Sequence, residues 1–137
     1  MKHFINAFKL YGVFSGRSTR EEYWMFTLIY LIVYIALSIV AYFINSEMFS
    51  LLLGILSLAV IVPSISITTR RLHDVGHSGW WQLSPLIGYL FIFIGVAQES
   101  TILAGAGGAL ALILFILILY FLVKPSDEDN QYGAKPQ

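Results

Sequence analysis

Between Glu22 and Lys124 the chain carries only five charged side chains: Glu47, Arg70, Arg71, Asp74 and Glu99. They leave four stretches without Lys, Arg, Asp or Glu: Tyr23 to about Ile44, Met48–Thr69, about Trp80–Ala97 and about Thr101–Val123. A helix needs roughly 20 apolar residues to cross a hydrocarbon core of about 30 Å, and each stretch approaches that length. Helices of a water-soluble bundle would need a charged face for solvent, and none of these has one. The pattern therefore predicts an all-α integral membrane fold with four transmembrane helices. Composition agrees. With 58% hydrophobic and 12% charged residues, against about 25% charged in a typical globular domain, a soluble enzyme domain and a disordered chain are both excluded.

The basic residues set the expected threading. Lys2, Lys9, Arg17 and Arg20 precede the first span, Arg70 and Arg71 lie between the second and third, and Lys124 and Lys135 follow the fourth. The other two loops, around Asn45–Glu47 and Gln98–Ser100, have none. The positive-inside rule then places both termini and the middle loop in the cytoplasm of a bacterial inner (plasma) membrane protein. The net charge of zero divides into eight basic and six acidic residues inside and Glu47 and Glu99 outside. A neutral total gives no general affinity for nucleic acid. The first span is not read as a cleavable signal peptide, because it is long and follows a polar stretch. Residues 1–124 are expected to form the membrane domain, and 125–137 a polar, exposed cytoplasmic tail.

Local signals add detail. Apolar residues at 4, 5, 8 and 11 predict a short N-terminal interfacial helix. Ser18-Thr19-Arg20-Glu21 reads as a capping box that starts a helix near Thr19. Pro63 removes one backbone hydrogen bond from span two, and Ser64, Ser66, Thr68 and Thr69 are candidates to satisfy the freed carbonyl. Gly76 offers a helix stop, Ser78 a cap for the third helix, and Pro85 a bend or a loose helix start. Ala104 and Gly108, at small-x-x-x-small spacing, allow close packing within the chain or a homo-oligomer interface.

The spans contain no ionisable residue for a proton relay or an acid–base site. No internal repeat supports an inverted-repeat transporter. With no cysteine, disulfides, thiolate metal sites and a Cys nucleophile are excluded. Chemistry is left to the cytoplasmic rim, in two clusters, 14–24 and 70–81. Their candidate residues are Arg17, Arg20, Arg70, Arg71, His73, Asp74, His77, Trp80 and Trp81. One reading is an ion-pair network in which the arginines meet Glu21, Glu22 and Asp74. Another is an anionic lipid headgroup, which arginine grips bidentately. A third is a docking surface for a larger membrane-protein partner. Catalysis through His73 and Asp74 is weaker, because neighbours on a helix point about 100° apart. His73 and His77 have zinc-like spacing, but Gly76 interrupts the helix between them and no third ligand follows. No cofactor or metal is expected. The favoured expectation is a non-enzymatic membrane component binding anionic lipid or a partner protein. The rivals are a membrane-embedded enzyme on a lipid-like substrate and an oligomeric small-solute channel or transporter.

The same clusters carry a resemblance. Phe14-x-Gly16-Arg17-x-x-Arg20-x-x-Tyr23-Trp24, Arg71-Leu72-His73-Asp74-x-Gly76-x-Ser78-Gly79-Trp80-Trp81 and the weaker Asn130-x-Tyr132-Gly133-x-x-Pro136 resemble, in order, the YhaH-like family of small bacterial inner-membrane proteins, whose domain has no assigned function. Two positions depart from the family pattern: His77 stands where Arg or Lys is usual, and Lys135 where an acidic or amide residue is usual. The resemblance implies a multi-pass plasma-membrane protein and no particular activity.

Overall fold

The computed structural model describes residues 10–136. Four α-helices follow one another: α1 (Arg20–Ile44), α2 (Glu47–Asp74), α3 (Pro85–Ala97) and α4 (Thr101–Val123), with a 3₁₀ turn at Gly79–Leu83 before α3. Each is long and apolar enough to cross a membrane when the 3₁₀ turn is taken with α3. Alone, α3 has 13 residues, roughly 20 Å. The turn adds roughly 10 Å more, and Pro85 sits in the first turn of α3, where its missing N–H costs nothing. The N-terminal interfacial helix expected around residues 4–11 falls, up to residue 9, outside the described residues.

The capping box is present one residue later than the sequence pattern placed it. The Thr19 hydroxyl accepts from Glu22 N at 3.2 Å, and Glu22 Oε2 accepts from Thr19 N at 3.1 Å. Ser18 Oγ donates to the same Glu22 oxygen at 2.8 Å. Helix α2 ends at Asp74 because Gly76 takes φ +77°, a left-handed conformation that costs glycine little. Its 28 residues span roughly 42 Å. The helix therefore outruns a core of about 30 Å and lifts Arg70–Asp74 to the membrane edge.

Pro63 leaves the Ala59 carbonyl without its helical donor. The Ser and Thr residues after Pro63 do not fill the vacancy. Tyr11 does, donating its hydroxyl to Ala59 O at 2.7 Å. Thr68 bonds to Ser64 O at 2.7 Å, while Ser66 reaches Leu10 O and Val13 O at 3.2 and 2.6 Å. The segment before α1 is thus fastened along α2.

Helices α3 and α4 form the closest pair. A Cβ on Gly88 would lie 2.5 Å from Ala111 N, and one on Gly107 would lie 2.6 Å from Ile92 N. Gly95 faces Ala104 in the same way. Ala104 is therefore used within the chain, whereas Gly108 has nothing within 4 Å of a Cβ. Packing between α1 and α2 is confined to one end. Phe26 and Ile67 are buried there against Tyr23 and Val60, yet no residue from Thr27 to Val62 is buried. A second cluster, Leu72, Val75 and Phe121 with Leu117, joins the same end of α2 to α4.

Candidate functional site

The two apolar clusters flank Asp74, the last residue of α2, which is fully buried. A buried carboxylate needs paired charge and filled lone pairs. Asp74 has both: Arg17 Nε donates to Oδ1 at 3.0 Å, and Arg71 Nη1 pairs with Oδ2.

Arg17 stands in the loop before α1, and each of its five N–H groups is used. Besides Asp74 Oδ1, it donates to Asp74 O at 3.1 Å, to Glu128 O and Gly133 O at 2.9 Å each, and to Asp127 O. Five is the full capacity of a guanidinium. Arg71, also fully buried, reaches the other way. Its Nε donates to Leu122 O at 3.2 Å and its Nη2 to Lys124 O. These carbonyls belong to the end of α4, where helical partners run out. Arg71 therefore caps α4 from α2.

The chain after Lys124 lies over this centre, tied to it by hydrogen bonds, while none of its described residues is buried. Asp127 N donates to Asp74 O at 3.1 Å, and Asn130 Nδ2 to His73 O at 2.9 Å. Asn130 Oδ1 accepts from Tyr132 N at 2.9 Å, an Asx turn. That turn lays the Tyr132 ring on His73, with centroids 3.8 Å apart and planes 3° from parallel. On the far side of the tail, Lys135 pairs with Glu128 at 2.8 Å.

The other predicted residues are dispersed around the centre. His73 Nδ1 lies 3.2 Å from Gly16 O; since a carbonyl only accepts, that nitrogen carries the proton. His77 turns away from His73, with Nδ1 2.8 Å from Val75 O and its ring 4.0 Å from that of Phe121. Trp81 packs edge-on against the same Phe121, while Trp80 is 78% exposed. Ser78 caps the 3₁₀ turn by accepting from Trp80 N. Among the described residues no three His, Asp or Glu side chains gather to hold a metal. Arg70 is only 4% exposed; its carbonyl accepts from Ser18 N at 3.1 Å, and its Nε has no hydrogen-bond partner among the described residues. Arg20 is exposed at the start of α1. A groove of about 430 Å³ runs beside His73, walled by Phe14, Ile65, Thr69, Trp80 and Leu83.

Sequence reasoning reached Arg17, Arg71 and Asp74 but missed Tyr11 and the tail residues that complete the centre. The Asn130-x-Tyr132-Gly133 pattern was the available signal for the tail. In the sequence pattern Tyr11 is only an apolar position of the expected interfacial helix; nothing marked its hydroxyl, whose partner is a backbone carbonyl 48 positions away.

Comparison with known proteins gives the family. Residues 11–134 match the family described as "Protein of unknown function (DUF805)". That span holds the first two sequence patterns in full and the third from Asn130 to Gly133. The chain is 38% identical to "Inner membrane protein YhaI" of Escherichia coli (strain K12) over 104 residues, 74% of this chain and 87% of the relative. It is 33% identical to "Inner membrane protein YhaH" of the same strain over 107 residues, 74% of this chain and 88% of the relative. No solved structure matches. With four membrane-length helices and this family match over nearly its whole length, the chain belongs to the DUF805 family and is a multi-pass inner-membrane protein.

Proposed function

We propose that this protein is a non-enzymatic membrane component whose cytoplasmic rim binds an anionic lipid headgroup, with both termini on the cytoplasmic side. The observation that carries the reading is Arg70, buried with its Nε unpartnered among the described residues. Arg17 and Arg71 are consumed by Asp74 and backbone carbonyls, so they hold the rim together and do not offer free donors. Arg20 makes no ion pair among the described residues and lies close enough to Arg71 to feel its charge. A phosphate bound at Arg20 would offset that repulsion. Each basic residue near an anionic leaflet contributes about 1 kcal/mol. Trp80 and the groove beside His73 would take the adjoining acyl chain, since tryptophan favours the membrane interface.

The test is native mass spectrometry of gently extracted protein, comparing wild type with Arg20→Gln and Arg70→Gln. Retention of cardiolipin or phosphatidylglycerol by wild type, and its loss in both variants at unchanged melting temperature, is the expected result. Equal retention by Arg20→Gln, an exposed substitution with little bearing on folding, would sink the proposal. The threading is tested separately. Cysteines at Asn45 and Gln131 should label from outside and from inside the cell respectively, and the reverse pattern would overturn it.

A further inference from the structure

We propose that the seam between α1 and α2 is a hydrated cleft, entered from the Asn45 end, that binds small cations bearing N–H donors, ammonium and primary alkylammonium ions. This goes beyond the headgroup reading and concerns the opposite end of the molecule.

The first observation is register. Tyr23, Thr27, Tyr34 and Ala41 lie on one face of α1 by helical spacing. In an antiparallel hairpin turning at Asn45–Ser46, their opposite numbers on α2 are Thr68, Ser64, Ser57 and Ser50. The inner end of that register is seen, where the Tyr23 hydroxyl lies by Thr68; at the outer end Ala41 and Ser50 both line an open cleft. This register sets hydroxyl residues opposite one another at three of the four levels.

The second observation is where their hydrogens go. Ser38 and Ser50, which both line the cleft, each donate to the carbonyl four residues back, at 2.8 and 3.3 Å. A hydroxyl has one hydrogen and two lone pairs. With the hydrogen spent on its own helix, each of these two oxygens presents acceptors only, so these positions favour solutes that donate.

The third is space and sign of charge. At the Asn45 end the helices part around an open cleft of about 760 Å³, reaching down to Ser38, roughly 9 Å below Ile44. With Ser38, Asn45, Ser46, Glu47 and Ser50 among its walls, a space of that size admits water. Glu47 stands at its mouth and has no ion pair among the described residues. The neighbouring loops contain no Lys or Arg. The end of α1 and the start of α2 lie side by side with opposed dipoles, so the Glu47 carboxylate sets the sign. An alkylammonium ion fits all three features: its charge suits Glu47, and its N–H groups suit the hydroxyl oxygens.

The chain has no cysteine, so single cysteines report access cleanly. Ser38→Cys, Ser50→Cys and the lipid-facing control Ile39→Cys would be placed in the full-length protein in liposomes and treated with cationic and anionic methanethiosulfonates. Asn45→Cys serves as the positive control for reagent reaching the cleft end. Ser38→Cys and Ser50→Cys should react with the cationic reagent about tenfold faster than with the anionic one. Methylammonium chloride should slow that reaction, while tetramethylammonium chloride, with equal charge but no N–H, should not. Glu47→Gln should remove the charge preference. Two results would overturn the proposal: Ser38→Cys reacting no faster than Ile39→Cys, or equal protection by the two ammonium salts.

Discussion

Arg17 and Asp74 are separated by 57 positions and a whole membrane hairpin, yet their side chains meet at 2.9 Å, both out of contact with solvent. With Arg71 on the other carboxylate oxygen, Asp74 joins the loop before α1, the end of α2 and, through the carbonyls those arginines hold, the end of α4 and the tail.

Asp74→Ala should destabilise the protein by about 3–5 kcal/mol, because it leaves two guanidinium groups buried without their counter-charge. Asp74→Asn should recover only part of this, since one oxygen becomes a donor that opposes an arginine. Unfolding in mild detergent, followed by circular dichroism, checks the order. A loss below 1 kcal/mol for Asp74→Ala would show that the centre does not hold the fold.

Arg17→Lys should behave nearly as badly as Arg17→Ala. An ammonium has three donors on one atom and cannot serve five acceptors spread around a planar fork. The same unfolding measurement distinguishes the outcomes: rescue by lysine would mean that charge alone matters at this position.

Tyr11→Phe should cost about 1 kcal/mol, the net contribution of one hydrogen bond. The cost should shrink in a Pro63→Ala background, where residue 63 regains an N–H for Ala59 O. A double-mutant cycle reads this coupling directly; additive losses would mean that Tyr11 does not stand in for the missing donor.

Gly107→Leu should drive α3 and α4 apart, and overpacking of this kind costs about 1–3 kcal/mol or more. Gly108→Leu, one residue on, should be tolerated within the chain because open space surrounds it. Melting temperature separates the two. Size-exclusion chromatography with light scattering tells whether Gly108→Leu instead breaks an oligomer.

Tyr132→Ala should loosen the tail. The stacked His73 contact contributes about 0.5–1.5 kcal/mol by analogy with aromatic pairs. Backbone amides of 127–133 should then exchange hydrogen faster, with little change in the spans. Unchanged exchange would place the hold on the tail in the Arg17 bonds alone.

The spans and their ends were legible in the sequence because each is a local matter. Hydrocarbon tolerates no unpaired charge, so Glu47, Arg70 and Glu99 mark where water begins. Thr19 and Glu22 sit three residues apart, and Gly76 stops α2 by its own backbone freedom. The centre was only half legible. Arg17, Arg71 and Asp74 stood out as charged residues at one level, but most of the acceptors for the two arginines are backbone carbonyls. Every residue has one of those, and no side-chain type distinguishes Glu128 or Gly133 from its neighbours. The substitute donor for Ala59 was hidden for the same reason.

Charge-free run lengths determine that this chain enters a membrane four times, and the charges between them mark the polar edges of the spans. They do not say which arginines are spent. Folding decides that: it turns Arg17 and Arg71 inward onto Asp74, closes the tail over them, and leaves Arg70 buried with an unused donor. The first is a question of solvent and is answered within twenty or so residues. The second depends on which acceptors come within about 3 Å of a guanidinium, and those arrive from segments more than a hundred residues apart.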